Sequence, residues 1–123
     1  MAKILIVDDS SMSRLMLKTI LHSQGHQVVE AKDGISALEL YFLDKPELVI
    51  LDLVMDGMYG LEVLAKLLQM DKSAQVIITS ADIQKWTRES AMTAGAKGFV
   101  NKPFVSTNIL EAVNTVLRGS AYY

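Results

Sequence analysis

Five short aliphatic runs alternate along the chain with segments whose apolar residues recur at helical spacing. Ile4–Val7, Gln27–Ala31, Leu48–Leu53, Ala74–Thr79 and Gly98–Val100 read as strands. Several are continuously apolar, as expected of strands covered on both faces of a parallel sheet. Between them, Met12, Leu15, Met16 and Ile20 suggest one helix face, and Ile35, Leu38 and Phe42 a second. Leu61, Leu64, Ala65 and Leu68 follow, and Ile109, Ala112, Val113 and Val116 form the last stripe. Ile83–Ala94 is a less regular helix. Ser10, Ser11 and Asp33 suit N-caps, and Gly25, Gly95 and Gly119 fall where helices should stop.

The pattern is (βα)5, with no repeat, low-complexity tract or linker. Right-handed crossovers turn such a chain into a doubly wound α/β structure. Ligands then bind beyond the carboxyl ends of the strands, where the strand order reverses. Asp8 and Asp9 end the first strand, Asp52 the third and Ser80 the fourth, while Lys102 follows the fifth. Residues far apart in sequence therefore gather on one sheet edge.

Composition narrows the chemistry. The chain has 123 residues, half of them hydrophobic, and a formal net charge of −2. That length predicts one domain over 1–123, with 119–123 a frayed tail. Scattered Lys and Arg leave no basic face for nucleic acid or anionic lipid. The chain has no cysteine, which removes disulfides, thiolate catalysis and Cys-based metal sites. No signal peptide is evident, and Leu48–Met55 is too short to span a bilayer, so a cytoplasmic protein with no membrane insertion is expected.

Three carboxylates in one crevice repel one another, by roughly 4 kcal/mol per pair at ~4 Å and an effective dielectric of ~20. Protonating one relieves this; so does a hard divalent cation. Oxygen ligands favour Mg²⁺ or Mn²⁺ over zinc, with Asp8 and Asp9 holding the ion and Asp52 shared between ion and chemistry. Lys102 adds positive charge and Ser80 a hydroxyl donor. Together these groups suit a phosphoryl group, whose transfer needs positioning and charge neutralisation more than covalent help. An aspartate can itself be the nucleophile, forming an acyl phosphate.

"ILIVDDS", "LVILDLVMDGMYGLEVL", "VIITSAD" and "GAKGFVNKPF" occur in this order. With them the chain resembles the response-regulator receiver domains of two-component signalling over essentially its whole length. The resemblance implies a flavodoxin-like fold with a five-stranded parallel sheet in the order 2-1-3-4-5. It implies that Asp52 is phosphorylated, and that Asp8, Asp9, Asp52 and the Val54 carbonyl bind Mg²⁺. Lys102 would contact the phosphoryl group, Ser80 would turn inward to it, and Pro103 would follow a cis Lys–Pro bond. Phe99 takes the place of the switch aromatic, which rotates inward when the hydroxyl moves.

The implied partners are a sensor histidine kinase or His-phosphotransfer protein, a downstream target and a phosphatase, with no direct nucleic-acid contact. Because the sequence stops after the last helix, a free-standing receiver of the chemotaxis or phosphorelay type is expected. It would signal through the face of its fourth helix, fifth strand and fifth helix, and catalyse only its own phosphorylation and dephosphorylation. A haloacid-dehalogenase-type phosphatase would need Asp-x-Asp after the first strand, which Asp8-Asp9-Ser10 does not supply. A non-phosphorylated interaction module on the same fold is the other alternative.

Some positions depart from the pattern. Asp56 stands where a proline is usual and Tyr59 where an acid is usual. Asp56–Gly57 should still turn, with Asp56 either solvated or an outer acid of the ion site. Val54 offers no hydrogen bond to orient water, so slow self-hydrolysis is expected; Asp82 is the other position with influence there. Met12, Met16, Met58 and Met70 read as packing residues, and His22 and His26 as solvated loop residues. Tyr41 reads as core edge, and Trp86 as packing or an exposed partner anchor.

Overall fold

The expected alternation is realised element by element. A computed structural model describes residues 1–55 and 57–123; Asp56, and with it the reading of that turn residue, lies outside the described residues. The strands are β1 (Lys3–Val7), β2 (Gln27–Ala31), β3 (Leu48–Asp52), β4 (Val76–Ser80) and β5 (Gly98–Asn101). The helices are α1 (Ser11–His22), α2 (Gly34–Asp44), α3 (Gly60–Met70), α4 (Lys85–Thr93) and α5 (Ser106–Leu117). All strand pairs are parallel, in the order β2-β1-β3-β4-β5. No helix among the described residues is long and apolar enough to cross a membrane.

Alternation along the strands feeds two cores. Leu5, Val7, Val49, Leu51, Val76 and Ile78 join Ala37, Tyr41, Val63, Leu64, Leu67 and Ala91, under α2, α3 and α4. Ile4, Ile6, Leu48, Ile50 and Ile77 join Leu17, Leu21, Ile109, Ala112, Val113 and Val116, under α1 and α5. The central strands β3 and β4 are buried throughout, which is why their sequences carry no polar alternation.

Two helix faces differ from the pattern. On α1 the inward residues are Leu17 and Leu21, whereas Met12, Leu15 and Met16 face solvent, Met12 at 64% exposure. Arg14 and Lys18 lie on the same i, i+3, i+4, i+7 arc as Leu17 and Leu21, and both pair with Glu30 of β2. Two cations on the buried side hide that arc from an apolar count. On α2 the inward residues are Gly34, Ala37 and Tyr41, while Ile35 and Phe42 are exposed. A Cβ on Gly34 would meet Met58 Sδ at 2.8 Å and Val63 Cγ2 at 2.9 Å, so the small residue sets how closely the helix approaches. Met58 does pack against the core, but Met70, like Met12 and Met16, is exposed.

Other local expectations divide. Ser10 caps α1 by accepting the Ser13 N–H, and Asp33 caps α2 by accepting the Ser36 N–H. Tyr41 is buried at the core edge, its hydroxyl donating to Asp71 Oδ2 at 2.8 Å. His22 is exposed, but His26 is buried because its backbone N–H closes the turn onto the Leu21 carbonyl. In the tail, the Phe99 N–H donates to the Tyr122 carbonyl and the Tyr122 N–H to the Lys97 carbonyl. The edge of β5 leaves these backbone groups open, and the tail is the nearest segment able to pair with them.

Candidate functional site

Register places the acids. Val7 pairs with Leu51, so the next residues, Asp8 and Asp52, leave the sheet side by side. Asp8 continues the alternation of Ile4 and Ile6, and Asp52 that of Leu48 and Ile50, so both belong to the α1–α5 side. Ser80 pairs with Asn101, which brings Lys102 to the same edge. Carboxylate oxygens of Asp8, Asp9 and Asp52 all lie within 4.8 Å of one another.

Asp8 is 1% exposed and Asp52 6%, whereas Asp9 is exposed. Lys102 Nζ lies 2.9 Å from Asp8 Oδ2 and 3.5 Å from Asp52 Oδ1. Asp8 Oδ1 also accepts the Ser10 N–H at 2.9 Å. Burial first, and the Asp8 charge second, push Asp52 up to about 6, with Lys102 opposing them. The two acid charges hold Lys102 above its usual value against the cost of its burial. The cluster has all-oxygen donors and surplus negative charge that one ammonium does not cancel, which fits a hard divalent cation.

The start of α3 is held against the end of β3. The Leu53 N–H donates to the Thr79 carbonyl and the Gly60 N–H to the Leu53 carbonyl at 2.7 Å. A Cβ on Gly60 would stand 2.5 Å from the Asp52 carbonyl oxygen, so only glycine lets α3 start beneath the acid. Val54 is exposed on this turn, and Tyr59 precedes α3 without capping it through its side chain.

Ser80 is buried, and its hydroxyl accepts the Asp82 N–H at 3.0 Å. Phe99 is also buried, with the Arg88 guanidinium 5.6 Å from its ring centre. The Lys102–Pro103 bond is cis. Trp86 is exposed on α4, its indole N–H donating to Gln84 Oε1.

Two residues of the site escaped the sequence reading. Arg14 Nη1 donates to the Asp8 carbonyl at 2.8 Å, fixing the acidic turn from α1. Its signal was a base one turn beyond the paired acids. Asn101 Nδ2 donates to the Asp82 carbonyl at 2.9 Å and to the Ser80 carbonyl at 3.3 Å. A polar residue ending an otherwise apolar strand was the only hint.

The clustered acids and the lysine stand beyond the carboxyl ends of the strands, where doubly wound sheets of this order bind their ligands. The model of the response regulator receiver domain matches residues 4–114, and the chain belongs to that family. It is 42% identical over 116 residues to the chemotaxis protein CheY of Bacillus subtilis, covering 94% of this chain and 97% of that protein. It is 34% identical to sporulation initiation phosphotransferase F of the same organism, over 94% of this chain and 93% of the other. Among solved structures, Vibrio cholerae CheY4 superposes with a TM-score of 0.88 at 28% identity, over 93% of this chain and 97% of that one.

Proposed function

We propose that Asp52 accepts a phosphoryl group from a histidine kinase or His-phosphotransfer protein, and that the resulting acyl phosphate switches the α4–β5–α5 face for a downstream target. The observation that carries this reading is the placement of Lys102 between Asp8 and Asp52, beside three carboxylates whose oxygens lie within 4.8 Å of one another.

Asp8, Asp9, Asp52 and the Val54 carbonyl are the groups to hold Mg²⁺, or Mn²⁺ in its place. When bound, the ion supplies charge neutralisation for the phosphoryl oxygens and for the acids themselves. An Asp52 carboxylate oxygen attacks phosphorus as the phosphorus–nitrogen bond to the donor imidazole breaks, and the electron pair leaves with the imidazole. Lys102 then exchanges part of its pairing with Asp8 for a phosphoryl oxygen, and Arg14 keeps the acidic turn in place. Attack by water on phosphorus returns the carboxylate, which makes the protein a catalyst of its own phosphorylation and dephosphorylation alone.

Ser80 is the moving hydroxyl. Phe99, buried with the Arg88 guanidinium 5.6 Å from its ring centre, is the switch aromatic that turns when this hydroxyl moves. The response lies in Ser80, Phe99 and the loop leading to α4, and the exposed Trp86 reports it to a partner.

Incubation with acetyl phosphate and Mg²⁺ tests the reading. A gain of about 80 Da in intact mass, lost on adding a chelator beforehand, supports it; an unchanged mass rejects it.

A further inference from the structure

From Ser80 a set of hydrogen bonds that phosphoryl transfer does not use runs through the loop to α4 and β5. The Ser80 hydroxyl accepts the Asp82 N–H at 3.0 Å. Asp82 is held in turn at three atoms. Its Oδ2 accepts the Thr87 hydroxyl at 2.7 Å, its Oδ1 the Gln84 N–H at 2.9 Å, and its carbonyl the Asn101 side-chain amide at 2.9 Å. Gln84 and Thr87 belong to the loop and to α4, and travel with Asp82 if that segment shifts. Asn101 belongs to β5 and shares its register position with Ser80. Its side chain ties the loop to β5.

We infer that Asn101 is a positioning residue for phosphoryl acceptance: its carboxamide latches Asp82 and so sets how readily the Ser80 hydroxyl leaves for the phosphoryl site. The inference rests on the reading of Asp52 as the phospho-acceptor. When the hydroxyl turns toward Asp52, the Asp82 N–H loses its acceptor, and the loop must move to find another. That movement breaks the Asn101–Asp82 bond, a contact made in the resting arrangement alone. The Asn101 amide also donates to the Ser80 carbonyl at 3.3 Å, an acceptor that the Lys102 backbone N–H ties to β5 at 2.8 Å, so that bond stays with the sheet when the loop moves. Removing a bond made only at rest favours the other state, and the net strength of one neutral hydrogen bond corresponds to about 3- to 10-fold in population.

The test compares wild type, Asn101→Ala and Asn101→Leu in the rate of adduct formation with acetyl phosphate and Mg²⁺, alongside urea unfolding of each. Asn101→Ala is expected to be labelled about 3- to 10-fold faster, although it is no more stable than wild type. A residue of merely structural importance would slow the reaction when lost. The Ser80 and Asp82 amide resonances of the unphosphorylated variant should also move toward their positions in phosphorylated wild type. A folded Asn101→Ala labelled at the wild-type rate or slower overturns the latch. If that variant does not fold, Asn101→Leu, which keeps the bulk of the side chain but has no donor, decides in the same way. A wild type that takes no phosphoryl group overturns the Asp52 reading and this one with it, whereas a labelled wild type beside unaccelerated variants overturns the latch alone.

Discussion

Lys102 Nζ stands closer to Asp8 than to Asp52, at 2.9 Å against 3.5 Å. Its amine therefore serves first to hold a buried acid that would otherwise lack a cationic partner. Replacing it with Met leaves two buried carboxylates facing each other. In EDTA, Lys102→Met should lose about 2 kcal/mol of stability in urea unfolding, less than a fully buried pair would because the amine is partly solvated. Mg²⁺ should narrow the deficit. Equal stability of variant and wild type in EDTA would show that the amine carries no such role.

Asp52 presents the opposite case, a carboxylate that costs stability. Burial and the Asp8 charge raise it to about 6 in the folded state, against an ordinary value of about 3.9 in the unfolded chain. Between those values the folded protein binds more protons, so stability without metal falls as pH rises from about 4 to about 6. Asp52→Asn should remove that fall and be more stable than wild type at pH ~7 by about 1–3 kcal/mol in EDTA. Added Mg²⁺ should favour the wild type. Parallel pH profiles of the two proteins would contradict the assignment.

How much of this was legible in the sequence depended on which force fixed each feature. Continuous apolar runs such as Leu48–Leu51 can be little but covered strands, and the five acid, hydroxyl and amine positions followed from strand ends. The inward faces of α1 and α2 were not legible. Arg14 and Lys18 count as solvent residues until Glu30 is known to sit opposite them, and Gly34 and Ala37 pack by being small. His26 is buried by a backbone turn rather than by its own character. Asn101 acts across a gap of nineteen residues to Asp82, a relation that only the β4–β5 register creates.

Pairing of the tail with β5 makes the last residues part of the sheet. The Phe99 N–H donates outward to the Tyr122 carbonyl at 2.8 Å, and Tyr122 packs against the α1–α5 core. Deleting residues 121–123 should cost about 1–2 kcal/mol and convert the Phe99 amide from slow to fast hydrogen exchange. A Phe99 amide that stays protected in the truncated protein would rule this pairing out.

Val54 is 66% exposed beside the acid cluster and gives water no hydrogen bond. An amide side chain there can orient the attacking water, so Val54→Asn should lose its phosphoryl group faster than wild type. Decay of the isolated phosphoproteins, followed by intact mass, measures this directly. Equal lifetimes would remove Val54 from the account of hydrolysis.

The central claim is that the phosphoryl group resides on Asp52. Reduction of the acetyl-phosphate-treated protein with borohydride converts an aspartyl phosphate to homoserine, which peptide mapping then locates. The account predicts homoserine at position 52 and nowhere else, and none in Asp52→Asn. Homoserine at Asp8 or Asp9, or a phosphoryl group that survives the loss of Asp52, would contradict it.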